Sequence, residues 1–147
     1  MTDLMQPVEY AYDVVAGVSI GGLNAGLFAT FPRGYERAAV EYLTEFWVEN
    51  PVVDLWKSVF LNFIQGLWRE TLFDTTDFLA LYDHSFDDIE RFYRAYAVQS
   101  VDMNSGDVMT FDETAPLDVA RKGLLATAAI PAFIPSVKLD GMNLVDG

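Results

Sequence analysis

The chain has 147 residues, enough for one domain with a buried core, and its 52% hydrophobic and 14% aromatic content argues against disorder. A formal charge of −13, from 22 acidic against 9 basic residues, opposes binding to nucleic acid and adsorption to an anionic membrane by charge alone. Any contact with a lipid interface must therefore be mainly apolar, and the absence of cysteine excludes disulfides, thiolate metal sites and a cysteine nucleophile.

In chain order, Met1 to Pro7 has neither the positive segment nor the apolar stretch of a signal peptide. No run of about 18 apolar residues is present to span a membrane, so the chain reads as soluble or peripheral, with its compartment open. The short run Tyr12-Asp13-Val14-Val15-Ala16 reads as a strand, Gly17-Val18-Ser19-Ile20-Gly21 as a sharp turn, and Gly22 to Ala29 as a helix. This G-x-S-x-G elbow needs small residues two positions either side of the serine, where a β-carbon would collide with the neighbouring strand or helix.

Phe31-Pro32-Arg33-Gly34 predicts a turn, and Tyr35 to Val48 a helix that Asn50-Pro51 ends. Val52 to Trp68 has the strongest amphipathic spacing. Its mixed-charge polar face fits a helix packed on the sheet better than a lipid-seeking lid. Asp74-Thr75-Thr76-Asp77 reads as a cap for a helix over Phe78–Tyr82, and Asp87-Asp88-Ile89-Glu90 as the acidic start of another, which leaves His84 in a loop between them.

Arg94 to Met103 and Val108 to Phe111, joined by Asn104-Ser105-Gly106-Asp107, predict a β-hairpin. Pro116 opens a helix from Leu117 to about Ala128, Pro131 and Pro135 force extended backbone, and Asp140-Gly141 turns into a strand, Met142 to Val145, that delivers Asp146 and Gly147 at its end.

Ser19 is the candidate nucleophile. It lies at a helix N-terminus, where open backbone N–H groups and the dipole favour developing negative charge; the bland alternative is a Gly/Ser-rich β–α turn. Two bases present themselves. His84 is the only histidine, but it lies mid-chain, whereas an α/β-hydrolase places its histidine near the end of the domain. Asp146, at a strand end and followed by glycine, can approach a serine at another strand end. A carboxylate is a weak base at neutral pH, so a Ser–Asp dyad leans heavily on its oxyanion hole.

The elbow block Tyr12 to Ala25, the segment Ala126-Thr127-Ala128-Ala129-Ile130-Pro131-Ala132-Phe133-Ile134-Pro135 and the block Leu144-Val145-Asp146-Gly147 together resemble the patatin-like phospholipases, which carry a G-x-S-x-G elbow and a distant D-G-[GA] motif. The resemblance runs from about Tyr12 to Gly147. It implies an α/β fold of three layers with a mainly parallel central sheet, in one domain over 1–147 that is incomplete at both ends. It also implies a lipid acyl hydrolase of lipid catabolism that uses no cofactor or metal and takes an acyl-lipid substrate. On that resemblance Ser19 and Asp146 are the catalytic pair, and Gly17, Gly21 and Gly147 complete the motifs.

Family members also carry a glycine-rich oxyanion loop before the elbow, and Met1 to Tyr12 contains no glycine. The alternative expectation is accordingly a catalytically inert fragment or lipid-binding relic without an oxyanion hole.

Overall fold

The computed structural model describes residues 11–49, 76–87, 89–131 and 134–147. In chain order these form β1 (Val14–Val18), α1 (Ile20–Ala29), α2 (Glu36–Thr44) running into a π-helical turn (Glu45–Glu49), α3 (Thr76–Asp87), β2 (Ala95–Asp102), β3 (Val108–Asp112), α4 (Leu117–Thr127), β4 (Val137–Leu139) and β5 (Met142–Asp146). The amphipathic segment Val52–Trp68, the cap residues Asp74 and Thr75, and residues 1–10 lie outside the described residues.

One strand organises the sheet. β1 runs parallel to β2, from Val14 opposite Ala95 to Val18 opposite Gln99. β3 runs antiparallel along 97–101 of β2, and β5 antiparallel along 100–102, with Ser100 opposite Asp146. Because β3 overlaps both partners on β2, it must occupy one edge alone. β1 and β5 therefore share the other edge, end to end. β4 closes the sheet beyond β5.

The α/β class expected from the sequence holds. The expected mainly parallel sheet is mixed among the described strands, with β1–β2 parallel and the other three pairings antiparallel. Short connections impose two of these, β2–β3 and β4–β5, because a turn of a few residues can only return a strand alongside its neighbour in the opposite sense, whereas β2 and β5 pair across α4. The predicted hairpin of β2 and β3 is one such connection. The strand β4 was not among the sequence expectations, although Asp140 and Gly141 (φ 49° and 83°) form the two-residue left-handed turn that joins strands in hairpins.

Side chains alternate along β2. Tyr96, Val98, Ser100 and Asp102 are buried beneath α1 and α4, where Leu23, Leu27, Leu124 and Leu144 are fully enclosed. Each such leucine stabilises the fold by about 1.5–3 kcal/mol relative to exposure. The opposite face shows Val14, Val18 and Val108, which are 64%, 41% and 59% exposed. No described helix covers that side.

α3 corrects two sequence expectations. It is a single helix through Asp87, so His84 lies within it, exposed, and no second helix begins at Asp87. The reason is a buried stripe, Phe78, Tyr82 and Phe86, spaced four apart and therefore on one helical face. Beyond it the backbone is spent on tertiary bonds: Tyr93 N–H donates to the Ala29 carbonyl, and the Arg121 guanidinium donates to the Ile89 carbonyl. Burial pushes the Tyr82 and Tyr96 phenols above their ordinary pKa.

Arg94, almost wholly buried just before β2, ties the lead-in of β1 to the end of α1. Its guanidinium donates to the carbonyls of Tyr12, Phe31 and Pro32 and to Glu36 Oε1, each at 2.7–2.8 Å, and lies over the Phe28 ring. Burial alone would raise the Glu36 carboxyl. The Arg94 hydrogen bond and charge, with backbone N–H donors, outweigh burial and hold it below the usual range.

Candidate active site

β1 ends in the elbow. Ser19 adopts φ 59° and ψ −140°, a backbone conformation that costs a non-glycine residue on the order of 1–3 kcal/mol and is retained where surrounding contacts fix it. A β-carbon on Gly17 would run into the Gly21 carbonyl, as the motif requires. Gly21 departs from the expectation: nothing lies within 4 Å of where its β-carbon would stand. The close approach falls instead on Gly22, whose β-carbon would meet Thr127 Cγ2 at 2.7 Å. The elbow bends so that residue 22, not 21, faces α4.

Four groups hold Ser19. Its carbonyl accepts from the N–H of Gly22 (2.9 Å) and Leu23 (3.2 Å), which starts α1. Its own N–H donates to Thr127 Oγ1 at 3.1 Å, and its Oγ–H donates to Asp146 Oδ2 at 2.6 Å. Asp146 ends β5 and is fixed by its N–H donating to the Ala129 carbonyl at 3.0 Å. Gly147 follows against Val18 Cγ1 and the Gln99 carbonyl, where a β-carbon would come within 2.6 Å of that oxygen.

Ile20 and Gly21 present backbone N–H groups with no acceptor among the described residues, as the first donors of a helix do. They follow Ser19 directly, at the positive end of α1. The arrangement can therefore deliver an oxygen nucleophile, a proton acceptor and donors for an oxyanion.

The other candidate base lies elsewhere. His84 lines a cavity of about 450 Å³ with Thr30, Phe31, Tyr42, Phe46 and Leu81. Thr30 and Phe31 follow α1 whereas Ser19 precedes it, and ten helical residues separate them by about 15 Å. The structure thus brings Ser19, Gly17, Asp146 and Gly147 together and leaves His84 apart. Thr127 was not singled out from the sequence as a site residue, since only a contact across 108 positions gives it a partner at the elbow.

Among the described residues no group of three or more His, Asp or Glu is placed to hold a metal ion, and no helix is long and apolar enough to cross a membrane. No curated protein matches the chain. A family model for patatin-like phospholipases matches residues 4–147, which include the elbow, α4 and the end of β5. With that match over nearly its whole length, the chain belongs to the patatin-like phospholipase family.

Proposed function

We propose that this protein is a lipid acyl hydrolase that cleaves carboxylic esters of acyl lipids through an acyl-enzyme on Ser19, with Asp146 as the general base. One observation carries the reading: the Ser19 hydroxyl already donates to the Asp146 carboxylate at 2.6 Å, with no imidazole between them. Family membership supports the substrate class.

In the first half-reaction Ser19 Oγ bonds to the ester carbonyl carbon while its proton passes to Asp146 Oδ2. The carbonyl oxygen becomes an oxyanion, for which the Ile20 and Gly21 N–H groups at the start of α1 are the donors offered by this chain. One such donor is worth about 2.7–4 kcal/mol of transition-state stabilisation in a serine hydrolase. Collapse breaks the bond to the alcohol oxygen, which leaves with the proton from Asp146. Water then attacks the acyl-enzyme, Asp146 takes its proton, and Ser19 recovers a proton as the fatty acid departs.

The test is labelling of the full chain with a fluorophosphonate, with the adduct located by peptide mass spectrometry. A single adduct on Ser19, absent from Ser19→Ala, is expected. Labelling that persists in Ser19→Ala would defeat the assignment. No labelling, together with no turnover of p-nitrophenyl esters, would favour the inert lipid-binding alternative.

A further inference from the structure

We propose that Thr127 is a positioning residue for the nucleophile, and that the short segment Thr127–Ala129 sets the Ser19–Asp146 distance by gripping both. The inference rests on the Ser–Asp reading above.

Ser19 holds its backbone outside the region that ordinary residues favour. Within the elbow its carbonyl is engaged by Gly22 and Leu23, and its hydroxyl by Asp146. Only the amide N–H remains, and it is satisfied from another element: Thr127 Oγ1 accepts it at 3.1 Å from a side chain that is 0% exposed. Ser19 is half-buried, so loss of that acceptor removes the one protein partner of its amide and favours release of the elbow to a conformation that finds another.

Two residues later the same segment holds the second member of the pair, because the Ala129 carbonyl accepts the Asp146 N–H at 3.0 Å. Thr127 is the last residue of α4. The chain leaves the helix through tightened bonds, Ala128 N–H to the Leu125 carbonyl and Ala129 N–H to the Ala126 carbonyl. Thr127 and Ala129 are therefore fixed relative to one another, and through them Ser19 is fixed relative to Asp146. The two grips act on backbone N–H groups, so the hydroxyl and the carboxylate stay free for chemistry. The grip on Ser19 also withholds its amide from the oxyanion and leaves that task to Ile20 and Gly21.

The methyl of Thr127 packs over Gly22 beside the hydroxyl oxygen but takes no part in holding the Ser19 amide. Acceptor and packing are thereby separable by substitution: Thr127→Val keeps the methyl and loses the oxygen, whereas Thr127→Ser keeps the oxygen and loses the methyl.

The full chain, Thr127→Val, Thr127→Ser and Thr127→Ala would be compared for fluorophosphonate labelling rate, kcat and KM for a p-nitrophenyl ester, and thermal midpoint. Thr127→Val is expected to lower the labelling rate and kcat by about 10- to 100-fold with KM little changed, the size of effect that misplacement of a reacting group produces. Thr127→Ser should return both to within about threefold of the parent. If Thr127→Val does not fold, Thr127→Ala against Thr127→Ser makes the same comparison, since both lack the methyl and only one keeps the oxygen. Equal rates for the variants with and without the oxygen would overturn the positioning role while Ser19→Ala remained unlabelled. Labelling retained in Ser19→Ala would instead overturn the underlying reading, and this inference with it.

Discussion

Val18 and Asp146 lie end to end on one edge of β2, paired with its consecutive residues Gln99 and Ser100. β1 arrives parallel to β2 and β5 antiparallel, so each strand finishes where the other does. Ser19 is the next residue after Val18, which is how residues 127 positions apart come within 2.6 Å. β2 acts as a splint, and the hydrogen-bonded pair Ser19 and Asp146 sits at the joint.

Removing the proposed base should abolish most turnover without unfolding the chain. Asp146→Asn is expected to lower kcat for ester hydrolysis by at least about 100-fold, within the range typical of general-base loss. His84→Ala should stay within about threefold of the parent, less than about 1 kcal/mol in the barrier. Parallel steady-state assays of the two variants check this, and collapse of activity in His84→Ala would contradict the site.

The two motif glycines should respond differently. Gly17→Ala forces a β-carbon into the Gly21 carbonyl and is expected to cost about 1–3 kcal/mol or more, with loss of labelling at Ser19. Gly21→Ala meets open space in the first turn of α1, where alanine is the better helix former, so a gain of about 0.4–1 kcal/mol is expected. Urea denaturation of both variants reads the difference.

Arg94 should be among the costliest residues to replace. Its side chain is 1% exposed, and Arg94→Met strands the Glu36 carboxylate and three carbonyls that it now satisfies. A loss of about 3–5 kcal/mol is expected, as for one partner of a buried ion pair. The double variant Arg94→Met/Glu36→Gln should recover part of that loss in the same denaturation experiment.

Acid should destabilise the fold from a defined set of carboxylates. Asp102 is held below its ordinary pKa first by the Asn143 N–H and also by Asn104 and the Ser105 hydroxyl, Asp112 by the Thr114 hydroxyl and N–H, and Glu36 through Arg94. A carboxylate depressed on folding contributes its full stabilisation above its unfolded pKa, about 4, and loses it as pH falls through the lower folded value. Thermal midpoints should thus be steady above about pH 5 and drop steeply below about pH 4. Asp102→Asn should lower the plateau and flatten the acid limb; an unchanged limb would count against this set.

What the sequence made legible was mostly local. The elbow declared itself because its backbone tolerates so few residues, and the hairpin of β2 and β3 because an Asn-Ser-Gly-Asp turn separates alternating strands. Asp146 stood out as a base by its place at a strand end before a glycine, and motif resemblance paired it with Ser19, since no local pattern encodes a contact between strands finishing on a shared neighbour. Errors arose where tertiary contacts overrode local signals. The acidic run at Asp87 looked like a helix start, yet the buried Phe78–Tyr82–Phe86 stripe carries α3 to that point and the following carbonyls and amides bond to α1 and α4. β4 is only three residues long, too short for its alternation to stand out after two prolines. Thr127 looked like ordinary helix end, because its acceptor role exists only once α4 has docked on the elbow.

The splint on β2 gives the hydroxyl a second meaning. A slip of either neighbouring strand by one residue would move its end by about 3.3 Å and turn its side chains to the opposite face. Oxygen and carboxylate would then separate while most of the sheet remained hydrogen-bonded and its circular dichroism almost native. On the proposed function, acylation of Ser19 becomes a chemical gauge of strand alignment, able to count correctly registered molecules in a population that bulk spectroscopy would score as uniformly folded.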